Sequence, residues 1–180
     1  MPDREGAFKV CIFGDGGVGK TTLVHRYLTK IFKEDLKMTI GADFSVKEMK
    51  IDGKIVVLRI WDFAGEDRFK VLMPSFAKGA DGGIFMCDIT RYHSIRNIDK
   101  WLSIFEKSTK DKQITIPIIM VGGKKDLEDK RSLESEDVIK LSQKYDLKGY
   151  FECSSKTGEN VEEIFDFITR KMMENVGLIK

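Results

Sequence analysis

The chain has 180 residues, about one ordinary domain and enough for a good core. Its 31 Lys and Arg against 29 Asp and Glu leave a formal charge of +2, with the signs interleaved, so nothing marks it as a nucleic-acid binder. No apolar run approaches the ~18 residues of a membrane span and no signal-peptide segment opens the chain; a cytoplasmic protein, at most peripheral to membranes, is expected.

In chain order, Phe8–Phe13 is a mostly apolar run that suits a buried strand. Next comes Gly14-Asp15-Gly16-Gly17-Val18-Gly19-Lys20-Thr21, which reads G-x-x-x-x-G-K-T. Glycines let successive backbone N–H groups curl into a concave nest. A following helix aims the positive end of its dipole at the same spot. Lys20 adds a point charge for terminal phosphates, and the Thr21 hydroxyl is a hard oxygen for Mg²⁺. Leu23, Val24, Tyr27, Leu28 and Ile31 then recur at helical spacing, which completes strand, glycine loop and helix. The protein is expected to bind a nucleotide.

Phe32–Met38 is a polar connection without a clear period. Asp43–Ile51 and Lys54–Trp61 read as antiparallel strands, because Asp52-Gly53 between them signals a two-residue type I′ hairpin. Asp62–Lys78 should be a loop and a broken helix, with Pro74 starting a short helical piece. Gly82–Cys87 is the next strand, and Ser94–Phe105 a helix with Ile95, Ile98, Trp101, Leu102 and Phe105 on one face. Pro117–Val121 is the most apolar strand and ends at Gly122-Gly123. A helix over about Glu134–Tyr145 and a strand over Tyr150–Cys153 follow. The last helix opens with Asn160 and Glu163 at capping-box spacing and carries the stripe Val161, Ile164, Phe165, Ile168 and Met172.

Cys11, Cys87 and Cys153 each fall in what reads as an interior strand. They are odd in number, lack metal-ligand spacing and suit buried positions in a reducing compartment. His25 and His93 lie on predicted helices as ordinary surface or half-buried residues. With no repeat or low-complexity tract, residues 1–180 read as a single α/β domain. Its sheet should have six strands, mostly parallel with one antiparallel edge strand, and helices on both faces. Ligands in such sheets sit at the carboxyl ends of the strands, where every motif here falls.

The chain resembles the small GTPases of the Ras superfamily, P-loop NTPases, and among them most the Rab family. The carrying residues are the Gly14–Thr21 loop, Thr39-Ile40-Gly41-Ala42-Asp43-Phe44, and Ile60 to Phe69 (IWDFAGEDRF). Asp88-Ile89-Thr90, Lys124-Lys125-Asp126-Leu127 and Ser154-Ser155-Lys156 complete the set. The resemblance implies a molecular switch that hydrolyses GTP to GDP and phosphate with Mg²⁺, its two states read by effector proteins. It also implies GTPase-activating and nucleotide-exchange factors as partners of a monomer. Pro2 excludes N-myristoylation, and Val176–Lys180 lacks the cysteine that prenylation needs. Membrane association would therefore require a lipidated tail that this sequence does not contain.

By the same resemblance Asp15, Gly16, Gly17, Val18, Gly19, Lys20, Thr21 and Thr22 cradle the GTP or GDP phosphates. Thr21, Thr39 and Asp62 serve Mg²⁺. Lys20, Thr39, Gly65 and Glu66 form the catalytic set, with the Gly65 N–H against the γ-phosphate. Phe32, Lys124, Asp126, Leu127, Ser154, Ser155 and Lys156 surround the base. Asp126 accepts from guanine's ring N–H and amine, charge-assisted bonds worth about 1.5–3 kcal/mol.

Three positions depart from the family pattern. Gly123 stands where an Asn is usual, which should loosen the base site; Phe63 replaces Thr, a packing change. Glu66 replaces the Gln that orients the attacking water. A carboxylate ~5 Å from a phosphate charge costs about 3 kcal/mol at an effective dielectric of ~20. Slow hydrolysis is expected, and a nucleotide-gated binding module that scarcely hydrolyses GTP is the alternative. No arginine lies between Ile31 and Phe44 to act in cis, while Gly16 leaves room for one supplied in trans. A P-loop kinase of small metabolites would need an arginine-rich lid, and no segment has that character.

Overall fold

Glycine-bounded strands and amphipathic helices alternate along the chain, and the computed structural model describes residues 5–180 of it, with Pro2 outside the described residues. The strands are β1 (Gly6–Phe13), β2 (Ala42–Ile51), β3 (Lys54–Phe63), β4 (Gly82–Asp88), β5 (Ile118–Gly123) and β6 (Tyr150–Glu152). The helices are α1 (Lys20–Thr29), α2 (Met73–Ala77), α3 (Ile98–Ser108), α4 (Ser135–Lys144) and α5 (Val161–Asn175). Short 3₁₀ turns occupy Asp67–Leu72, Tyr92–Ile95 and Lys125–Lys130.

All six strands form one sheet in the order β2-β3-β1-β4-β5-β6, and only the β2–β3 pair is antiparallel. Asp52 and Gly53 both have positive φ (50° and 82°), as a type I′ turn demands. Because side chains alternate across a strand, β1 sends Val10 and Ile12 to one face and Cys11 and Phe13 to the other. The first face is covered by α1 and α5 through Leu23, Tyr27, Phe165 and Ile168. The second is covered by α2, α3 and α4 through Met73, Trp101, Phe105 and Val138. Every residue of β4 is buried, as expected of a strand near the middle of a covered sheet. Among the described residues no helix is long and apolar enough to cross a membrane.

Local structure departs from the sequence pattern in four places. Helix α1 stops at Thr29 because Lys30 adopts a left-handed conformation (φ 65°) and turns its N–H back to the Arg26 carbonyl. Ile31 therefore leaves the buried stripe and is 64% exposed. The expected helix Ser94–Phe105 is broken, since the Ser94 hydroxyl accepts from the Asp88 N–H (3.0 Å) and donates to the Arg91 carbonyl (2.7 Å). That local bonding finishes β4 and diverts the backbone from a helix, which starts only at Ile98. Asn160 makes no capping bond; it sits at φ 59° and its side-chain amide donates to the Glu152 carbonyl at 2.6 Å. Cys153 falls one residue past β6, which is an edge strand rather than an interior one. All three thiols are nonetheless buried, and burial pushes Cys11 and Cys153 up to about 12. Phe63 is buried and its ring centroid lies 6.4 Å from that of Phe76, a packing role as anticipated.

Candidate functional site

The carboxyl ends of β1, β3, β4 and β5 converge on the loop Gly14–Gly19 that joins β1 to α1. Gly14 (φ 143°) is locked over β4: a Cβ there would lie 2.2 Å from the Met86 carbonyl oxygen. Lys20, only 5% exposed, donates its ammonium to the carbonyls of Gly14 and Asp15, both at 2.8 Å. Burial lowers its pKa to about 8, against the pull of Asp62 and Asp15. The ammonium is thus held at the mouth of the glycine nest by backbone oxygens. The Asp15 carboxylate points the other way, accepting from Trp101 Nε1 (2.9 Å) and Asn97 Nδ2 (3.4 Å) on and beside α3. Asp15 therefore offers the site only its backbone, and its side chain anchors the loop.

The three residues assigned to Mg²⁺ come from α1, the segment before β2 and the end of β3, and they meet. Thr21 Oγ1 is 2.6 Å from Thr39 Oγ1 and donates a very short bond to Asp62 Oδ2, which Thr39 reaches at 3.4 Å. The other carboxylate oxygen, Asp62 Oδ1, is buried without a hydrogen-bond partner among the described residues. Burial pushes Asp62 up to about 6, with the Thr21 bond and Lys20 opposing. A cluster of hard oxygens that leaves one carboxylate oxygen orphaned fits a small divalent cation.

Beside this cluster lies a cavity of about 140 Å³ lined by Gly16, Lys20, Thr21, Thr39, Gly65 and Glu66. Gly65 presses its backbone on the loop so closely that a Cβ would come within 2.2 Å of the Gly16 nitrogen. Glu66 lines the cavity, and its carboxylate is paired with Arg68 Nε at 2.7 Å. The Arg68 guanidinium in turn lies 4.6 Å over the Phe69 ring. A second arginine, Arg91, donates Nη2 to the Gly16 carbonyl at 2.9 Å from the far side of the loop. Neither arginine lies between Ile31 and Phe44; Arg68 reaches Glu66 from two residues along the chain, and folding brings Arg91 to the loop.

A second cavity, about 380 Å³, shares Gly17, Gly19 and Thr22 with the first and continues to Phe32, Lys124, Asp126, Leu127, Ser155 and Lys156. Six of the seven residues expected around a base line one continuous depression with the glycine loop, together with Val18 of the phosphate set. Ser154 is the exception: it is fully buried and donates its hydroxyl to Asp126 Oδ1 at 2.6 Å, so it orients the carboxylate from behind. Lys124 Nζ donates to the Gly17 carbonyl (3.0 Å) and pairs with Asp88 (2.7 Å), tying base loop to phosphate loop. Behind the cavity, Arg131 grips Glu152 at 2.7 Å and Ser135 donates to the same carboxylate at 2.7 Å. Met86 and Glu34 also line the cavity, though no motif points to either.

The sequence profile of the Ras family matches residues 9–174. The chain belongs to the Ras family. It is similar to the Ypt/Rab-type GTPase ypt7 of Schizosaccharomyces pombe, 36% identical over 170 residues that span 93% of this chain and 83% of that protein. It is likewise similar to Ras-related protein Rab-19 of Xenopus laevis (36% over 166 residues, 92% and 76%). A third relative is the Ypt/Rab-type GTPase avaA of Emericella nidulans (38% over 168 residues, 92% and 82%). As a Ras-family, Rab-like small GTPase the chain is a GTP hydrolase with a P-loop fold, and regulators and effectors are the kinds of partner such a protein has.

Proposed function

We propose that this GTPase is a Mg²⁺-dependent switch whose nucleotide lies along the joined cavities, phosphates on Gly14–Thr22 and guanine against Asp126. One observation carries the assignment: a buried oxygen cluster at one end and a positioned carboxylate at the other are bridged by the glycine loop. Thr21, Thr39 and Asp62 would hold the ion, which supplies charge neutralisation between the terminal phosphates when bound. Lys20, fixed by two carbonyls, stabilises the charge that develops on the leaving phosphate oxygens. Thr39 and the Gly65 N–H sense the γ-phosphate. The segments that carry them are tied by one backbone bond, Ala64 N–H to the Gly41 carbonyl at 2.9 Å, so they loosen together when it leaves.

Glu66 faces the phosphate cavity with its charge already shared with Arg68. We infer slow but real hydrolysis: the pair relieves part of the repulsion and leaves a carboxylate oxygen to accept from the attacking water. Single-turnover hydrolysis of wild type, Glu66→Gln and Glu66→Ala tests this. Glu66→Gln should be faster than wild type and Glu66→Ala slower. Equal rates for wild type and Glu66→Ala would remove Glu66 from the mechanism. A wild type that turns over no GTP at all would instead favour the nucleotide-gated binding module.

The face read by effectors is proposed to be the apolar strip flanking the Thr39 and Gly65 segments. Met38, Ile40, Phe44, Val46, Val71 and Leu72 are exposed there, Ile40 to 79%, and Phe44 and Phe76 flank the Trp61 ring at 5.1 and 5.6 Å. Exposed apolar side chains beside segments proposed to respond to the γ-phosphate suit a partner that distinguishes the two states.

A further inference from the structure

Position 123 ends β5 against Met86, which lines the base cavity, and it carries no side chain. Its space is already taken. A Cβ built on Gly123 would lie 2.5 Å from Met86 Cε and 3.2 Å from the Val18 carbonyl oxygen. The same methyl group lies 3.7 Å from where a Cβ on Gly19 would be, and Met86 lines the cavity. Met86 is otherwise buried in the core, so its thioether spans from β4 to the underside of the glycine loop and stops at the base cavity. The adjacent polar side chain, Lys124, is committed to the Gly17 carbonyl and the Asp88 carboxylate.

We infer that Met86 is a specificity-determining residue, and that the Met86–Gly123 pair presents guanine's N7 edge with an apolar wall that donates no hydrogen bond. This rests on the placement of guanine in the cavity proposed above. With ring N–H and amine on Asp126 and the base oxygen toward Ser155, the order of atoms around a purine brings N7 next, on the side of Val18, Gly19 and Met86. A thioether there offers dispersion contact and only a weak acceptor. The protein then selects guanine through its Watson–Crick edge alone and is blind to the atom at position 7.

The test compares GDP with 7-deaza-GDP, in which N7 is replaced by C–H, by displacement of a fluorescent GDP from the whole chain in the presence of magnesium. Wild type should bind the two within about twofold of each other. In the double variant Met86→Val/Gly123→Asn the carboxamide has room and a partner, and GDP should be preferred roughly threefold to tenfold, the range of one net hydrogen bond. Gly123→Asn alone must displace the Met86 methyl and should weaken both nucleotides by a similar factor. General damage to the site moves both affinities together, so the ratio isolates the N7 contact. A wild type that binds 7-deaza-GDP threefold or more weakly than GDP overturns the inference, as does a double variant without preference. Loss of preference for GDP over ADP in wild type would instead sink the guanine placement itself. The wild-type ratio needs no variant and decides the matter even if the double variant does not fold.

Discussion

The two ends of the site are built on different terms. At the phosphate end the positions are set by backbone: Gly14 under the Met86 carbonyl, Gly65 against Gly16, Lys20 between two carbonyl oxygens. Added side-chain atoms there collide with main chain, which cannot move cheaply. At the base end the wall is made of side chains, and the collision at Gly123 is with the tip of a flexible methionine. The first construction tolerates no side chain at Gly14 or Gly65; the second can be re-tuned by compensating pairs of residues. That contrast explains how the G-x-x-x-x-G-K-T loop stands intact while the neighbouring base motif has lost its Asn.

The contrast breaks most visibly at Lys20. Lys20→Met should lower GDP affinity by more than about a hundredfold, since charge-assisted bonds are worth roughly 1.5–3 kcal/mol each and the ammonium makes several. Calorimetric titration would show it, with the GDP-to-ADP ratio unchanged. Asp126→Ala should do the converse. It should cost GDP about tenfold to a hundredfold and leave ADP nearly untouched, so that base preference disappears while phosphate binding survives. Equal losses for both nucleotides would place Asp126 outside base recognition.

A third test concerns the ionic lock behind the base loops. Burial alone would raise the Glu152 carboxyl, but bonds from Arg131, Ser135 and Tyr150 outweigh it and hold the group down at about 2. A folded-state pKa below the unfolded one means that the native state binds fewer protons in this window. The lock therefore contributes stability above about pH 4.5 and loses it as pH falls toward 2. Glu152→Gln should flatten the acid limb of a urea-unfolding series and speed GDP release several-fold, because β6 and the Ser154–Lys156 loop lose their anchor. The smallest effect is expected at Arg91. Arg91→Ala removes one exposed bond to the Gly16 carbonyl and should change GDP off-rate by no more than about threefold. A larger change would mean that the guanidinium reaches the nucleotide.

Legibility in the sequence follows the distance over which an interaction is set. The glycine loop, the Asp52-Gly53 hairpin and the alternation of strands and helices are local patterns, and they imply a mostly parallel sheet with one antiparallel edge strand. The strand order is set by the fold. The meeting of Thr21, Thr39 and Asp62 came only through the family resemblance, because nothing in the spacing of residues 21, 39 and 62 brings them to one point. Arg91 and Met86 carried no signal and owe their roles to contacts across the fold, whereas Arg68 sits in a quoted motif and meets Glu66 two residues before it. Two of the four local departures share one cause. Lys30 and Asn160 adopt left-handed backbone conformations, and a periodicity argument cannot see where an ordinary residue will do so.

The hydrogen bond from Trp101 to Asp15 has a practical outcome. The chain contains two tryptophans, one buried against the phosphate loop and one ringed by Phe44 and Phe76 beside the proposed switch segments. Each end of the conformational cycle thus has its own built-in fluorophore. On the proposed nucleotide placement, replacing Trp61 by Phe should leave an indole whose emission reports nucleotide occupancy, and replacing Trp101 one that follows switching, so that kinetics could be recorded on unlabelled protein.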